Sequence, residues 1–217
     1  MALLLASIVM TAATLPHVTK LPVPSKSGTV AVERALSSRR SVREFAGSAI
    51  GLRDLSQLLW AAQGITTSDG RRAAPSAGAL YPLQLYLFAG AVNGLPSGVY
   101  RYDARSHALE IVVAGDRRRE LSGAAAQPFV ADAPAAIVIT AVYPTTARKY
   151  GARAERYCAI EAGCASENVA LQAVALGLGT VVVGAFDEAR LRDAALMRRA
   201  ETPLVIMPIG IPRDGAR

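Results

Sequence analysis

Little in this chain supports a cross-linked or metal-built protein. Two cysteines and two histidines occur among 217 residues, too few for a disulfide scaffold. Cys158 and Cys164 fall in a stretch that reads as helix; six residues apart, they lie on different faces and about 9 Å apart along the axis, too far to bridge. A reduced interior is the simpler reading, and it fits a cytoplasmic site. Neither His17 nor His107 has a Cys or acidic neighbour at ligand spacing, which argues against a metal site. Charge is also sparse, at 19% against about 25% in ordinary soluble domains, while 52% of residues are apolar, so disorder is excluded. The length is that of one ordinary domain near its upper end, able to bury roughly 70% of its unfolded surface.

Acidic residues are outnumbered, giving a net charge of +7. The basic residues nevertheless stand in separate short groups, Arg39/Arg40/Arg43, Arg71/Arg72, Arg117 to Arg119 and Arg198/Arg199, with no basic face interleaved with aromatics. A nucleic-acid partner is therefore not expected; phosphate on a small ligand, or plain solvated surface, accounts for the charge more simply. No apolar run reaches the roughly 20 residues of a membrane span. Ala2 to Ala13, broken only by Ser7 and Thr11, has the length of a signal-peptide core but lacks a positive flank and a twin-arginine pair. Cytoplasm is the expected location, with export through this signal-like segment as the alternative. Leu21 to Gly28 reads as an extended linker, because each Pro fixes φ and denies its predecessor the helical basin. The chain thus divides into an apolar segment and linker (1–28) and one domain (29–217). There is no internal repeat and no Walker loop, and Gly177-Leu-Gly179 lacks the third glycine and strand-before-helix context of a dinucleotide fingerprint.

What is present alternates helices and strands. The pattern predicts a helix from Val30 to Arg39, capped by Thr29 and facing the core with Val32, Ala35 and Leu36. A second, Leu52 to Gln63, buries Leu55, Leu58, Leu59 and Ala62 and ends at Gly64, where a left-handed residue is wanted. Leu83 to Ala89 reads as a strand, Gly98 to Val113 as a hairpin turning at Asp103 to Ser106, and Ala135 to Val142, Thr180 to Val183 and Leu204 to Ile209 as buried strands. A helix of some 36 Å spans Ala152 to Leu176 and closes on Gly177, with Gly179 reading as part of the same ending. Its many small residues allow close approach on several faces, either as a core helix within one subunit or at a homodimer seam.

Three segments carry chemistry. Arg39-Arg-Ser-Val-Arg-Glu-Phe45 gathers three guanidiniums and a hydroxyl at a helix end, suited to gripping phosphate bidentately; an exposed Arg-rich turn looks the same. Ala74-Pro-Ser-Ala-Gly-Ala-Leu-Tyr-Pro82 is a loop of small residues whose backbone can approach a flat ligand. Arg148-Lys-Tyr-Gly151 sets a lysine beside a phenol at the mouth of the long helix, diverging by about 100° if helical. Such a lysine is usually surface solvation; beside a buried planar ligand it would lose proton affinity and could act as a base.

These segments, with Leu58-Leu-Trp-Ala-Ala-Gln-Gly64, Gly98-Val-Tyr-Arg-Tyr-Asp103, Glu161-Ala-Gly163 with Asn168, and Gly177 to Asp187, resemble in this order the SagB-type (thiazole/oxazole) dehydrogenase branch of the nitroreductase superfamily. The resemblance runs from about Leu21 to Pro212. It implies an α+β fold with a mixed, mostly antiparallel β-sheet flanked by helices, an intertwined homodimer, and FMN in sites shared between subunits. Arg39, Arg40, Ser41 and Arg43 match the segment that holds FMN phosphate and ribityl groups. Pro75, Ser76, Ala77 and Gly78 match the loop along the isoalloxazine ring, Val183, Gly184 and Ala185 the segment on its other edge, and Arg213 a basic residue that reaches the phosphate. Lys149 and Tyr150 match the pair that removes a proton in azoline oxidation.

The implied reaction is hydride transfer between FMN N5 and a carbon of an organic substrate, best matched by oxidation of an azoline in a modified peptide. NAD(P)H-dependent reduction of a nitroaromatic or quinone is the alternative, and a non-catalytic flavin-binding accessory subunit is a third. Where simple nitroreductases carry Asn and Pro-Ile-Glu-Gly, this chain has Ala79 and Val182-Val-Gly-Ala185, so flavin contacts there fall to backbone. Cys164 stands where the branch usually has His, and Glu167 where it has Gln.

Overall fold

Period-two alternation lays down the sheet. The structure, a computed structural model, describes residues 18–213; the apolar run Ala2 to Ala13, the question of export that hangs on it, and His17 lie outside the described residues. In chain order the elements are β1 (Val18–Lys20), α1 (Val32–Ser38), β2 (Ile50–Gly51), α2 (Leu52–Gln63), β3 (Leu83–Ala89), β4 (Val92–Asn93), β5 (Gly98–Asp103), β6 (Ala108–Ala114), α3 (Arg118–Ala125), α4 (Phe129–Asp132), β7 (Ala135–Ala141), α5 (Tyr143–Tyr150), α6 (Ala154–Ala175), β8 (Gly179–Thr180), α7 (Glu188–Ala195) and β9 (Thr202–Gly210). Short 3-10 turns stand at Ala77–Ala79 and Gly151–Arg153.

Among the described residues seven strands form one sheet in the order β1-β6-β5-β3-β7-β9-β8, with antiparallel neighbours throughout. A parallel pair, β2 with β4, and a parallel bridge from Ser41 to Thr180 make the strand pairing mixed. β3 shows how two faces are filled: Leu83, Leu85, Leu87 and Ala89 enter the core that α2 and α6 cover, while Tyr86 and Phe88 enter the core under α3, α4 and α7. β7 is buried along its whole length, as a strand covered on both faces must be. The result is an α+β fold whose mostly antiparallel sheet is flanked by helices.

α2 keeps its expected bounds, and Leu55, Leu58, Leu59 and Ala62 are fully buried, each leucine contributing about 1.5–3 kcal/mol of burial. Gly64, however, is extended (φ −66, ψ 150), not left-handed. Glycine is needed there because a Cβ would lie 2.1 Å from the Trp60 ring. α1 begins at Val32, with Ala31 at the N-cap and no capping side chain, so Thr29 does not cap it; Ala35 is buried, but Val32 and Leu36 are exposed. The long helix is shorter than its pattern. Gly151 (φ 55, ψ −132) ends a separate α5 and one 3-10 turn intervenes before α6, so Lys149 and Tyr150 close α5 instead of opening α6. Gly177 (φ 73) does turn the chain out of α6. Gly179 instead belongs to β8, where a Cβ would stand 2.7 Å from Val42. The expected strand Thr180 to Val183 reduces to β8 and an isolated bridge from Val183 to Ile206.

The linker is extended but strapped down. Ser56 Oγ donates to the Pro22 carbonyl at 2.6 Å, and Ser25 exchanges backbone hydrogen bonds with the Gln57 amide at 2.8 and 3.0 Å. Just before it, β1 pairs with β6, an edge strand too short to register as a pattern. Cys158 and Cys164 are free thiols. Among the described residues no helix is long and apolar enough to cross a membrane, and no three His, Cys, Asp or Glu side chains gather to hold a metal.

Candidate functional site

The loop between α2 and β3 is built under strain. Gly78 (φ 62), Ala79 (φ 54) and Tyr81 (φ 51) all occupy the left-handed region, which costs a non-glycine residue about 1–2 kcal/mol. Cross-links hold it. The Ala77 N–H donates to Glu161 Oε1 at 2.8 Å, the Tyr81 N–H donates to Ser76 Oγ at 2.8 Å, and the Ser76 hydroxyl also hydrogen-bonds Glu161. Glu161 is 4% exposed. Burial pushes its carboxyl above the usual carboxylate range, and the hydrogen bonds from Ala77 and Ser76 offset part of that rise.

α5 brings the basic and phenolic groups to the same loop. Pro144 pre-sets its first turn, and its C-terminal end lies over Gly78. A Cβ on Gly78 would stand 2.8 Å from Tyr150 Oη and 2.9 Å from Lys149 Nζ. The Lys149 ammonium is 5.5 Å from the Tyr150 ring centroid, and that ring meets Tyr157 edge-on at 5.0 Å. Beside the loop, a hollow of ≈ 290 Å³ is walled by Pro75, Ser76 and Ala77 and by Tyr157, Ile160, Glu161 and Cys164 of α6. Ile160 is 55% exposed at its edge.

The basic segment assembles separately. Ser41 bridges Thr180, the Val42 N–H donates to the Thr180 carbonyl at 3.0 Å, and Phe45 bridges Pro212. This stitching draws Arg213 in: its N–H donates to the Glu44 carbonyl at 3.0 Å, its Nη2 donates to the Phe45 carbonyl at 3.4 Å, and Nη1 is 3.6 Å from the Glu44 carboxylate. Arg39 lies 3.9 Å from Glu167 of α6, and Arg40 donates to the Ser37 and Arg39 carbonyls at 3.0 and 2.8 Å. Arg39 and Arg213 thus each stand near a carboxylate, while among the described residues Arg40 and the exposed Arg43 have none within ion-pair distance. A small hollow nearby is lined by Arg40, Val42, Gly179, Thr180 and Pro212, and Thr180 Oγ1 is buried without a hydrogen-bond partner. Val183 continues the same edge and is buried against Ile206, while Gly184 and Ala185 emerge exposed.

Two groups result. Arg39 to Arg43, Arg213 and Val183 to Ala185 share one edge; Pro75 to Gly78, Lys149 and Tyr150 share another. Among the described residues no hydrogen bond, ion pair or ring contact joins the two groups directly. α6 holds both, through Glu167 and Glu161, six residues or about 9 Å apart along its axis. The reading from sequence missed Glu161 as the loop's anchor and Thr180 beside the arginines. A carboxylate on the same helical face as Cys158, Ala162 and Ala165 is the signal for the first, hidden because small residues occupy every face of α6.

The model of the nitroreductase family matches residues 36–211. The chain belongs to the nitroreductase family. A candidate nitroreductase from Methanocaldococcus jannaschii is 42% identical over 182 residues, covering 83% of this chain and 91% of that protein. Among solved structures, a candidate nitroreductase from Ralstonia eutropha matches with a TM-score of 0.83 at 32% identity, covering 94% of this chain and 93% of that one. Another from Anabaena variabilis matches with a TM-score of 0.75 at 26% identity over 84% of this chain and 38% of that longer one. Proteins of the nitroreductase family are generally FMN-dependent oxidoreductases, and the residues here fit that cofactor: an arginine-rich edge beside an unpartnered Thr180 hydroxyl suits a phosphate tail.

Proposed function

We propose that this chain is an FMN-dependent dehydrogenase of the SagB type, acting as a homodimer on an azoline ring in a modified peptide. The observation that carries the reading is the convergence of Lys149 Nζ and Tyr150 Oη on Gly78, since removal of hydrogen from an azoline needs a proton acceptor and reduction of a nitro group by NAD(P)H does not. In this reading Arg39, Arg40, Ser41, Arg43 and Arg213 hold the phosphate and ribityl groups, with the Thr180 hydroxyl as a further donor. The backbone of Pro75, Ser76, Ala77 and Gly78 lines one part of the ring site, and Val183, Gly184 and Ala185 another. When bound, FMN supplies a two-electron acceptor at N5.

The substrate loses one hydrogen with its electron pair and a second as a proton, and gains a ring double bond. Lys149 as the free amine, or Tyr150 as the phenolate, takes that proton. The Glu161 clamp keeps the loop beneath these groups fixed, so that the reacting carbon is met at about 3–3.5 Å. The outward stripe of α6, Ala159, Ile160 and Gly163, is the face offered to a second copy, which brings the two groups of residues together from two chains.

The test is Lys149→Ala in the full chain. An absorbance scan first establishes about one FMN per chain. The variant is expected to lose oxidation of a synthetic peptide thiazoline while keeping NADH-driven reduction of nitrofurazone. Equal loss of both activities would assign the lysine to binding or folding, retention of both would remove it from proton transfer, and a preparation that takes up no FMN would end the reading.

A further inference from the structure

Next to the strained loop lies a polar hollow that this reaction does not use. A hairpin from Gly64 to Ala73, closed by the Ala73 N–H to the Gly64 carbonyl at 2.9 Å and by a bridge from Ile65 to Arg72, presents the Arg72 side chain. Its guanidinium sits over the Tyr81 ring at 4.7 Å and donates from Nη1 to Gln63 Oε1 at 2.9 Å. Gln63 is 3% exposed. Burial lowers the proton affinity of Arg72, and among the described residues no carboxylate lies within ion-pair distance of it.

The nearby acids are hydrogen-bonded to other groups, and Asp103 acts on Arg72 only through its charge across the hollow. Asp69 pairs with Arg71 at 2.9 Å, and Asp103 accepts from the Arg105 N–H at 2.9 Å and the Ser106 hydroxyl at 2.7 Å. The hollow holds ≈ 90 Å³ and is walled by Gln63, Arg72, Gln84, Tyr102, Asp103 and Arg105, two guanidiniums against one carboxylate. The Tyr102 hydroxyl is already engaged by His107 Nδ1 at 2.8 Å. A half-buried guanidinium without an acidic partner is costly, and its planar fork matches a carboxylate bidentately. The volume equals about three waters, enough for a carboxylate head and too little for a nucleotide.

We propose that this hollow binds the carboxylate group of an organic ligand, gripped by Arg72 over Tyr81. The carboxylate belongs either to a small free anion or to one arm of a larger acid. The proposal stands independently of the flavin reading, because its test needs neither cofactor nor turnover.

The single Trp60 reports on the site: its Nε1 donates to the Ile65 carbonyl at 3.3 Å, and Ile65 bridges Arg72. The thermal midpoint of the full chain is followed by Trp60 fluorescence against sodium acetate and, separately, sodium benzoate, at ionic strength held constant with sodium chloride. A bound carboxylate raises the midpoint with the logarithm of its concentration. Acetate alone acting identifies a free-anion site, whereas benzoate acting as well, or alone, identifies an arm of a larger acid. Arg72→Gln is expected to weaken the effect at least ~10-fold. Gln63→Glu keeps the arginine but supplies an internal carboxylate, and is expected to abolish the effect while leaving the chain folded. Arg71→Gln, on an exposed neighbour, is expected to leave it intact. No response to either anion in the wild type, or an undiminished response in Gln63→Glu, overturns the proposal.

Discussion

Glu161→Gln separates the electrostatic part of the loop clamp from its geometric part. Glu161 is nearly sealed from solvent, and its raised carboxyl pKa states that burial opposes ionisation more than the Ala77 and Ser76 hydrogen bonds favour it. The linkage sign follows: a carboxyl whose folded pKa lies above its unfolded value of 4.5 contributes most below that value. That contribution is lost as pH rises through the folded pKa. Glutamine retains an acceptor for the Ala77 N–H, worth about 0.5–1.5 kcal/mol, and carries no charge to desolvate. Relative to the wild type, Glu161→Gln is therefore expected to gain stability as pH climbs from 4.5 through the folded pKa, and then to hold a constant difference. Glu161→Ala strands the Ala77 N–H and leaves a gap, at a cost of about 2–4 kcal/mol, or roughly 5–15 °C in midpoint for a chain of this size. Calorimetric midpoints of the three proteins across pH decide it. A wild type that gains on Glu161→Gln as pH rises would show that the carboxylate is net stabilised in the fold, and the argument from burial would fail.

Gly78→Ala places a methyl against Lys149 Nζ and Tyr150 Oη in a left-handed residue. The side-chain tips can move aside, so the fold is expected to lose only about 1 kcal/mol, whereas under the proposed reaction a shift of the proton acceptor by about 1 Å costs on the order of 10²-fold in turnover; kcat and thermal midpoint measured together check the split. Ala126 (φ 51) and Leu196 (φ 45) end α3 and α7 in the left-handed region without being glycine. Ala126→Gly and Leu196→Gly are each expected to stabilise by about 0.5–1 kcal/mol, seen as a rise in thermal midpoint for each variant.

The legible parts of the fold were those where one physical cause acts alone. β3 and β7 announce themselves through hydrophobic runs that only a doubly covered strand requires, and the four buried positions of α2 repeat at helical spacing. Glycines were harder. Gly64 and Gly179 carry no special dihedral, so local turn rules misread both; each is there because another part of the chain, the Trp60 ring or Val42, passes within van der Waals contact. α5 went unread: between the strand expected to end at Val142 and the long helix expected to open at Ala152, the eight residues Tyr143 to Tyr150 bury only Thr146 and so carry no apolar periodicity. The site was legible in its letters and not in its connections. Arg39 to Arg43, Lys149 and Gly78 stand out by residue type, but Glu161 and Thr180 look like ordinary members of a helix and a strand until their partners are seen.

α6 explains why the two groups of residues can be tuned separately. Its small side chains let α1, α2 and the Pro75 to Gly78 loop approach closely, and within that apolar length only two of its carboxylates reach across to the site, Glu167 toward Arg39 and Glu161 toward Ala77. The Glu167 contact is long and solvent-exposed, so it is screened and worth at most about 1 kcal/mol; Arg39 can exchange it for an anion. The Glu161 contact is short and buried, so it fixes the loop against which Lys149 and Tyr150 rest. In the proposed reaction this gives a rigid support where position decides rate and a loose one where charge decides affinity.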